Sequence, residues 1–198
     1  MSQIKLKHSG GNSVIIAAPD SNPASDRTLK LPSDGDGTIL TTNSATGKIL
    51  QVVSTHKTDV FTTAATSPTD VTGLSAAITP SSTSNKVFII ISVGIISNTV
   101  AGQAAELYLL RGSTQISIGD AAGSRQRLTG AWAGDQNWEH GSFVITFLDS
   151  PSTTSATTYK LQMCTQGSGT ACLNRRGDDP DAPYGRGTSS FTVMEVAA

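Results

Sequence analysis

The chain has 198 residues and a formal net charge of −1, with 15% charged and 5% aromatic residues. This balance argues against a protein that gains affinity by neutralising many phosphates, leaving only the local patch Arg175, Arg176 and Arg186, so no nucleic-acid partner is expected. The longest apolar run, VFIIISVGII at 87–96, is far short of the roughly 20 residues of a membrane helix, so no membrane insertion is expected and the β-branched run reads as a buried strand.

The opening MSQIKLKHSGGNS has lysines but no apolar stretch behind them, so no secretory leader is expected. Residues 1–46 hold short apolar pieces, IKL, SVIIAA, LKL and TIL, separated by HSGGN, PDSNPASD and PSDGDG. Helical spacing is absent, and Pro19, Pro23 and Pro32 would break a helix. Pairs of strands this short are marginal alone in water. The reading that accounts for Val14, Ile15, Ile16, Leu29, Leu31, Ile39 and Leu40 is that three copies intertwine and bury them on a shared axis.

From residue 47 the pattern becomes that of a full domain. Strands are expected over 47–57, 59–64, 69–80, 85–99, 104–114, 115–120, 142–151, 157–165, 171–176 and 189–197, punctuated by Gly, Pro and Ser turns. Many short strands point to a β-sandwich or barrel. The best helical candidate, AGQAAELYLLRG, fits instead two strands turning at Gly112-Ser113.

The stretch LTGAWAGDQNWEHGSF at 128–143 carries both tryptophans and reads as a loop or loop-flanked hairpin. Trp138 stands among Asp135, Gln136, Asn137, Glu139 and His140, a setting in which a ring stacks on the apolar face of a sugar and short polar groups bond its hydroxyls. Trp138, Asp135, Asn137 and His140 are therefore candidate glycan contacts. Trp132 is a further one, although its alanine and glycine neighbours favour plugging the core or a trimer axis.

Cys164 and Cys172 flank Gly167-Ser168-Gly169. A hairpin centred on Ser168 would set them opposite each other, either as two buried thiols, the favoured reading, or as a cross-strand disulfide. RRGDDPDAPYGRG at 175–187 lacks the order of an EF-hand and reads as a solvated loop, and its Arg-Gly-Asp tripeptide is a chance-level match. No GxSxG occurs, the three histidines have no zinc spacing, and Asp120, Asp135, Glu139 and Asp149 fall at turns. No enzyme, cofactor or metal is expected.

The layout TGLSAAITPSSTSNKVFIIISV, LYLLRGSTQISIGD, FLDSPSTTSATTYKLQM, LNRRG and SSFTVMEV resembles the carboxy-terminal jelly-roll domains of bacteriophage tail-fibre and related virion proteins. The segment NSVIIAAPDSNPASDRTLKLPSDGDGTILTT is similar to the stalk that precedes such domains, often in marine and cyanobacterial phages. The resemblance implies an all-β homotrimer. Its N-terminal stalk of short strands, 1–46, would attach to other virion proteins of the tail or baseplate. Its jelly-roll head of tumour-necrosis-factor-like shape, 47–198, would meet a host surface glycan. It places the protein in the virion, assembled in the host cytoplasm. A capsid decoration or cement trimer is the alternative role. A glycan-degrading spike is disfavoured because no β-helix repeat is present.

Overall fold

The computed structural model describes residues 3–7, 9–11, 13–17, 49–181 and 184–198. The chain divides into two compact units, Met1–Ser44 and Ala45–Ala198. In the first, β1 (Gln3–Lys7) and β2 (Ser13–Ala17) pair antiparallel, with Gln3 opposite Ala17 and Lys7 opposite Ser13. The strands expected at LKL and TIL, and the packing proposed for Val14, Ile15, Ile16, Leu29, Leu31, Ile39 and Leu40, lie outside the described residues.

The second unit is an antiparallel β-sandwich of jelly-roll kind. Its strands are β3 (Ile49–Lys57), β4 (Phe61–Thr63), β5 (Thr69–Ile78), β6 (Lys86–Asn98), β7 (Ala104–Arg111), β8 (Thr114–Ile116), β9 (Gly130–Ala133), β10 (Gly141–Asp149), β11 (Thr157–Thr165), β12 (Ala171–Leu173) and β13 (Ser189–Val196). One sheet holds β3, β13, β6, β12 and β4, with β10 on the other edge of β6. The second holds β5, β11 and β7, with β8 and β9 end to end on the far edge of β7. The chain changes sheet at each step from β4 to β7 and again from β9 to β12. Arg111 pairs with Thr114, so the expected turn at Gly112-Ser113 is present.

Period-two alternation builds the core. Ile89, Ile91 and Phe191 of the six-stranded sheet meet Leu107, Leu109, Tyr159 and Leu161 of the five-stranded sheet, all without solvent exposure. The Tyr159 hydroxyl donates to Asp149 Oδ2 at 2.7 Å, and Arg111 pairs with the same carboxylate at 2.9 Å, so the buried polar groups at this end are satisfied.

The two sheets differ on their outer faces. On the five-stranded sheet, Tyr108, Leu110 and Cys164 form a second buried cluster, with Leu128 packed on it. Thr129 pins that covering segment: its hydroxyl accepts from Leu109 N–H at 2.8 Å and its own N–H donates to Leu107 O at 3.0 Å. The Tyr108 hydroxyl donates to buried Glu106 at 2.8 Å. Burial pushes the Cys164 thiol up to about 11, which makes it unreactive at neutral pH.

The six-stranded sheet has no such cover among the described residues. Register sets Leu148 beside Phe88, Phe88 beside Met194, and Met194 beside Val52 in one row across its outer face. Leu148 and Val52 are each 55% exposed. The run at 87–96 is therefore not buried on both sides: Val87, Ile89, Ile91 and Val93 face the core, while Phe88 and Ile90 are half-buried on the outer face.

Two further expectations are corrected. Cys164 and Cys172 do not face each other across a hairpin. Cys164 on β11 lies opposite Glu106, and Cys172 on β12 lies opposite Ser97 and Thr62 in the other sheet. The Gly167-Ser168-Gly169 segment is a crossing between sheets, and both thiols are free and buried. The stretch at 128–143, read as a loop or a loop-flanked hairpin, contains the short strand β9 at 130–133, which pairs with β7 on the edge that β8 leaves open, while β10 pairs with β6 in the other sheet, so the two do not form a hairpin.

Glu195, 1% exposed, ties the end of β13 to the β5–β6 connection. Burial alone would raise its pKa. Donors from Gln51 at 2.7 Å, Asn85 at 2.6 Å and the Ser81 amide at 2.6 Å reverse that and hold it down at about 2. Because this value lies below the unfolded one, the stabilisation is complete above about pH 4.5 and is lost as pH falls toward 2. The group is expected to contribute roughly 2–4 kcal/mol over that window. Urea unfolding of Glu195→Gln should start from a lower plateau at pH 6 and fall less between pH 5 and pH 2.5 than the wild type. Parallel profiles would contradict the assignment.

Candidate functional site

Two loops meet at one end of the sandwich. The first, 134–140, leaves β9 and enters β10. The second, 174–188, joins β12 to β13.

Asn174, fully buried and in the left-handed region at φ 65°, roots the second loop at both ends. Its amide Nδ2 donates to Lys57 O at 3.1 Å and Asp59 O at 3.0 Å, and its Oδ1 accepts from the Ser189 hydroxyl at 2.7 Å. Its backbone N–H donates to Ile95 O at 2.8 Å, and its carbonyl accepts from Gly187 N–H at 3.0 Å. Asparagine suits this place because its short amide can bond locally while tolerating positive φ. Outside that root, ion pairs brace the loop. Asp179 joins Arg175 at 3.1 Å and also Arg186.

The loops touch at Gly177. A Cβ there would lie 2.4 Å from Asn137 O and 2.2 Å from Asn98 O, so only glycine permits this approach. The first loop is held in turn by Glu139, whose Oε2 accepts from Asp135 N–H at 2.7 Å. That bond commits the Glu139 carboxylate to bracing the turn.

Between the loops lies a cleft of about 920 Å³. Trp132, Trp138, Glu139 and His140 line it from one side, and Arg176, Asp178 and Tyr184 from the other. Trp138 is 49% exposed and Tyr184 52%. The Arg176 guanidinium stacks over the Tyr184 ring at 3.8 Å and forms a bidentate pair with Asp178 at 3.1 and 2.9 Å. The Arg-Gly-Asp charges are therefore bound to each other rather than displayed apart, and the loop is internally braced rather than merely solvated.

Of the residues singled out in sequence, the cleft brings together Trp132, Trp138 and His140. Asp135 and Asn137 are exposed on the same loop but do not line the cleft. His140 Nδ1 lies 3.4 Å from Trp138 O. Sequence reasoning did not join Tyr184, Arg176 and Asp178 to the tryptophans. The aromatic in DAPYGRG was the only local sign. Among the described residues, no group of three or more His, Cys, Asp or Glu side chains could hold a metal ion.

No protein-family model matches this sequence, and no curated protein does. Several solved structures are similar at low identity. A subviral particle of infectious bursal disease virus VP2 matches at 14% identity and TM-score 0.36, over 93% of this chain and 50% of that one. The T=1 particle derived from the same virus matches at 13% and 0.39, over 93% and 46%. Its T13 viral particle matches at 11% and 0.39, over 93% and 43%. The chain thus spans about half the length of these proteins or less.

Trp132 closes the end of the core. Its ring packs against the main cluster and so close to Gly141 that a Cβ there would be 2.4 Å from Cε3. Its Nε1 is buried with no hydrogen-bond partner among the described residues. Losing that donor should therefore cost little, while losing the ring should cost much. Trp132→Phe is expected to stay within about 1 kcal/mol of wild type in urea unfolding, and Trp132→Ala to lose about 3 kcal/mol. Equal losses in both variants would show that the indole N–H is bonded.

Proposed function

We propose that this chain is a structural protein of a bacteriophage virion, a homotrimeric tail fibre or spike. In this reading residues 1–46 hold it to the tail or baseplate, and residues 47–198 form the head that meets the host surface. The cleft takes a neutral sugar unit of a host glycan.

The observation that carries the reading is the cleft: two half-exposed rings, Trp138 and Tyr184, beside a cation already neutralised by Asp178. A pyranose offers one face of C–H groups, which stacks on a ring, and a rim of hydroxyls. His140 at the wall supplies a directional polar partner for that rim. An anionic ligand would have to break the Arg176–Asp178 pair and approach two carboxylates, Asp178 and Glu139. Binding groups concentrate on loops held by a rigid scaffold, and here Asn174 and Gly177 hold both loops. The sequence resemblance to tail-fibre heads supports the virion role.

Particles carrying Trp138→Ala or Tyr184→Ala are expected to adsorb to host cells about tenfold more weakly or worse. The thermal midpoint should stay within about 2 °C, since neither ring is packed in the core. Unchanged adsorption with unchanged stability would remove the cleft from host recognition. Immunogold labelling should find the protein at the tail; gold over the capsid would make it a decoration protein instead.

A further inference from the structure

We propose that the outer face of the six-stranded sheet is the surface on which copies of this chain pack against one another. It shares no residue with the cleft, so it is testable apart from glycan binding.

The first ground is the apolar content of β6 on both sides. A strand that is apolar on successive residues is the pattern of a sheet covered on both faces, whereas a sheet with one wet face alternates apolar and polar. In β6 the core takes Val87, Ile89, Ile91 and Val93, and Phe88 and Ile90 point the other way. On β10, Ile145 is buried while Val144 and Leu148 point outward, 60% and 55% exposed. The apolar residues continue across the sheet in register, from Leu148 through Phe88 and Met194 to Val52. The adjacent row, Thr146, Ile90, Thr192 and Ser54, carries no charge.

The second ground is the contrast with the other sheet. The outer face of the five-stranded sheet carries Tyr108 and Leu110, and the chain's own segment ending at Leu128 covers them. No described segment does the same for the row from Leu148 to Val52.

The occupant is a second copy on grounds of charge and size. Lys86, bonded to Ser150 at the margin, is the one permanently charged side chain facing outward in the paired rows, and His56 sits at the opposite margin. Two such faces meet without like-charge repulsion. Four strands about 4.8 Å apart, over four outward rows about 6.8 Å apart, make a face of roughly 500 Å². Three of them, one from each copy and turned toward a common axis, together remove up to roughly 1,500 Å² from solvent, within the size class of a specific interface.

The test is sedimentation of the full chain between about 1 and 100 µM. Wild type should run as a multiple of 20.4 kDa. Val52→Glu/Leu148→Glu, which places two carboxylates on exposed positions of the row, should run at 20.4 kDa, or associate at least about tenfold more weakly, with an unchanged circular dichroism spectrum. Val52→Ser/Leu148→Ser, which removes apolar area without adding charge, should weaken association in the same direction and serves if the acidic pair perturbs folding. A monomeric wild type, or variants that associate as the wild type does, would overturn the proposal. Trp138→Ala should leave the mass unchanged, which separates this result from the fate of the glycan reading.

Discussion

The constraint on which the rest of this molecule depends is that β6 is apolar on both sides. Its inward residues nucleate the core, because β10 runs along one edge and β13 and β12 share the other. That position lets one strand organise a whole sheet, and the facing sheet supplies Leu107, Leu109, Tyr159 and Leu161 to bury its inner side. Its outer side remains apolar. The five-stranded sheet meets the same condition with its own covering segment, which shows the fold can solve it locally. On the six-stranded sheet no described segment supplies such a cover, which is the ground for the proposal that another copy does.

The cleft depends on the same frame. β12 and the start of β13 flank the central strand, so the loop between them starts and ends beside Ile95, and Asn174 fastens both ends there. The opposite loop leaves β9, a strand that exists only because the edge of β7 is longer than β8 can fill. Charges in this region are paired at short range, Arg176 with Asp178 and Arg175 with Asp179. In the cleft this leaves half-exposed Trp138 and Tyr184 with His140 beside them.

Much of the sandwich was legible because its strands carry strong period-two signals. The strand at 157–165 appears over the expected residues, and the two-residue turn at Gly112-Ser113 follows from the change of pattern on either side. Sheet membership was not legible. Gly167-Ser168-Gly169 has hairpin chemistry, yet the chain uses it to cross between sheets, since local turn residues do not record which sheet the next strand joins. β9 was hidden because four residues around Trp132 are too few for a periodic signal. The exposed setting of Trp138 was readable from its polar neighbours. Its meeting with Tyr184 and Arg176, some forty residues later, was not, because that contact rests on one glycine and one buried asparagine. A run such as VFIIIS announces apolar residues on both faces, and among the described residues only the inner face has its cover.

The most direct measurement is a cryo-electron microscopy map of the particle that carries this protein. The account predicts threefold density at the tail. In it, the row Leu148, Phe88, Met194 and Val52 faces another copy, and the cleft between Trp138 and Tyr184 opens to the outside. Single copies with that row in solvent, or the row sealed by a different protein, would contradict it.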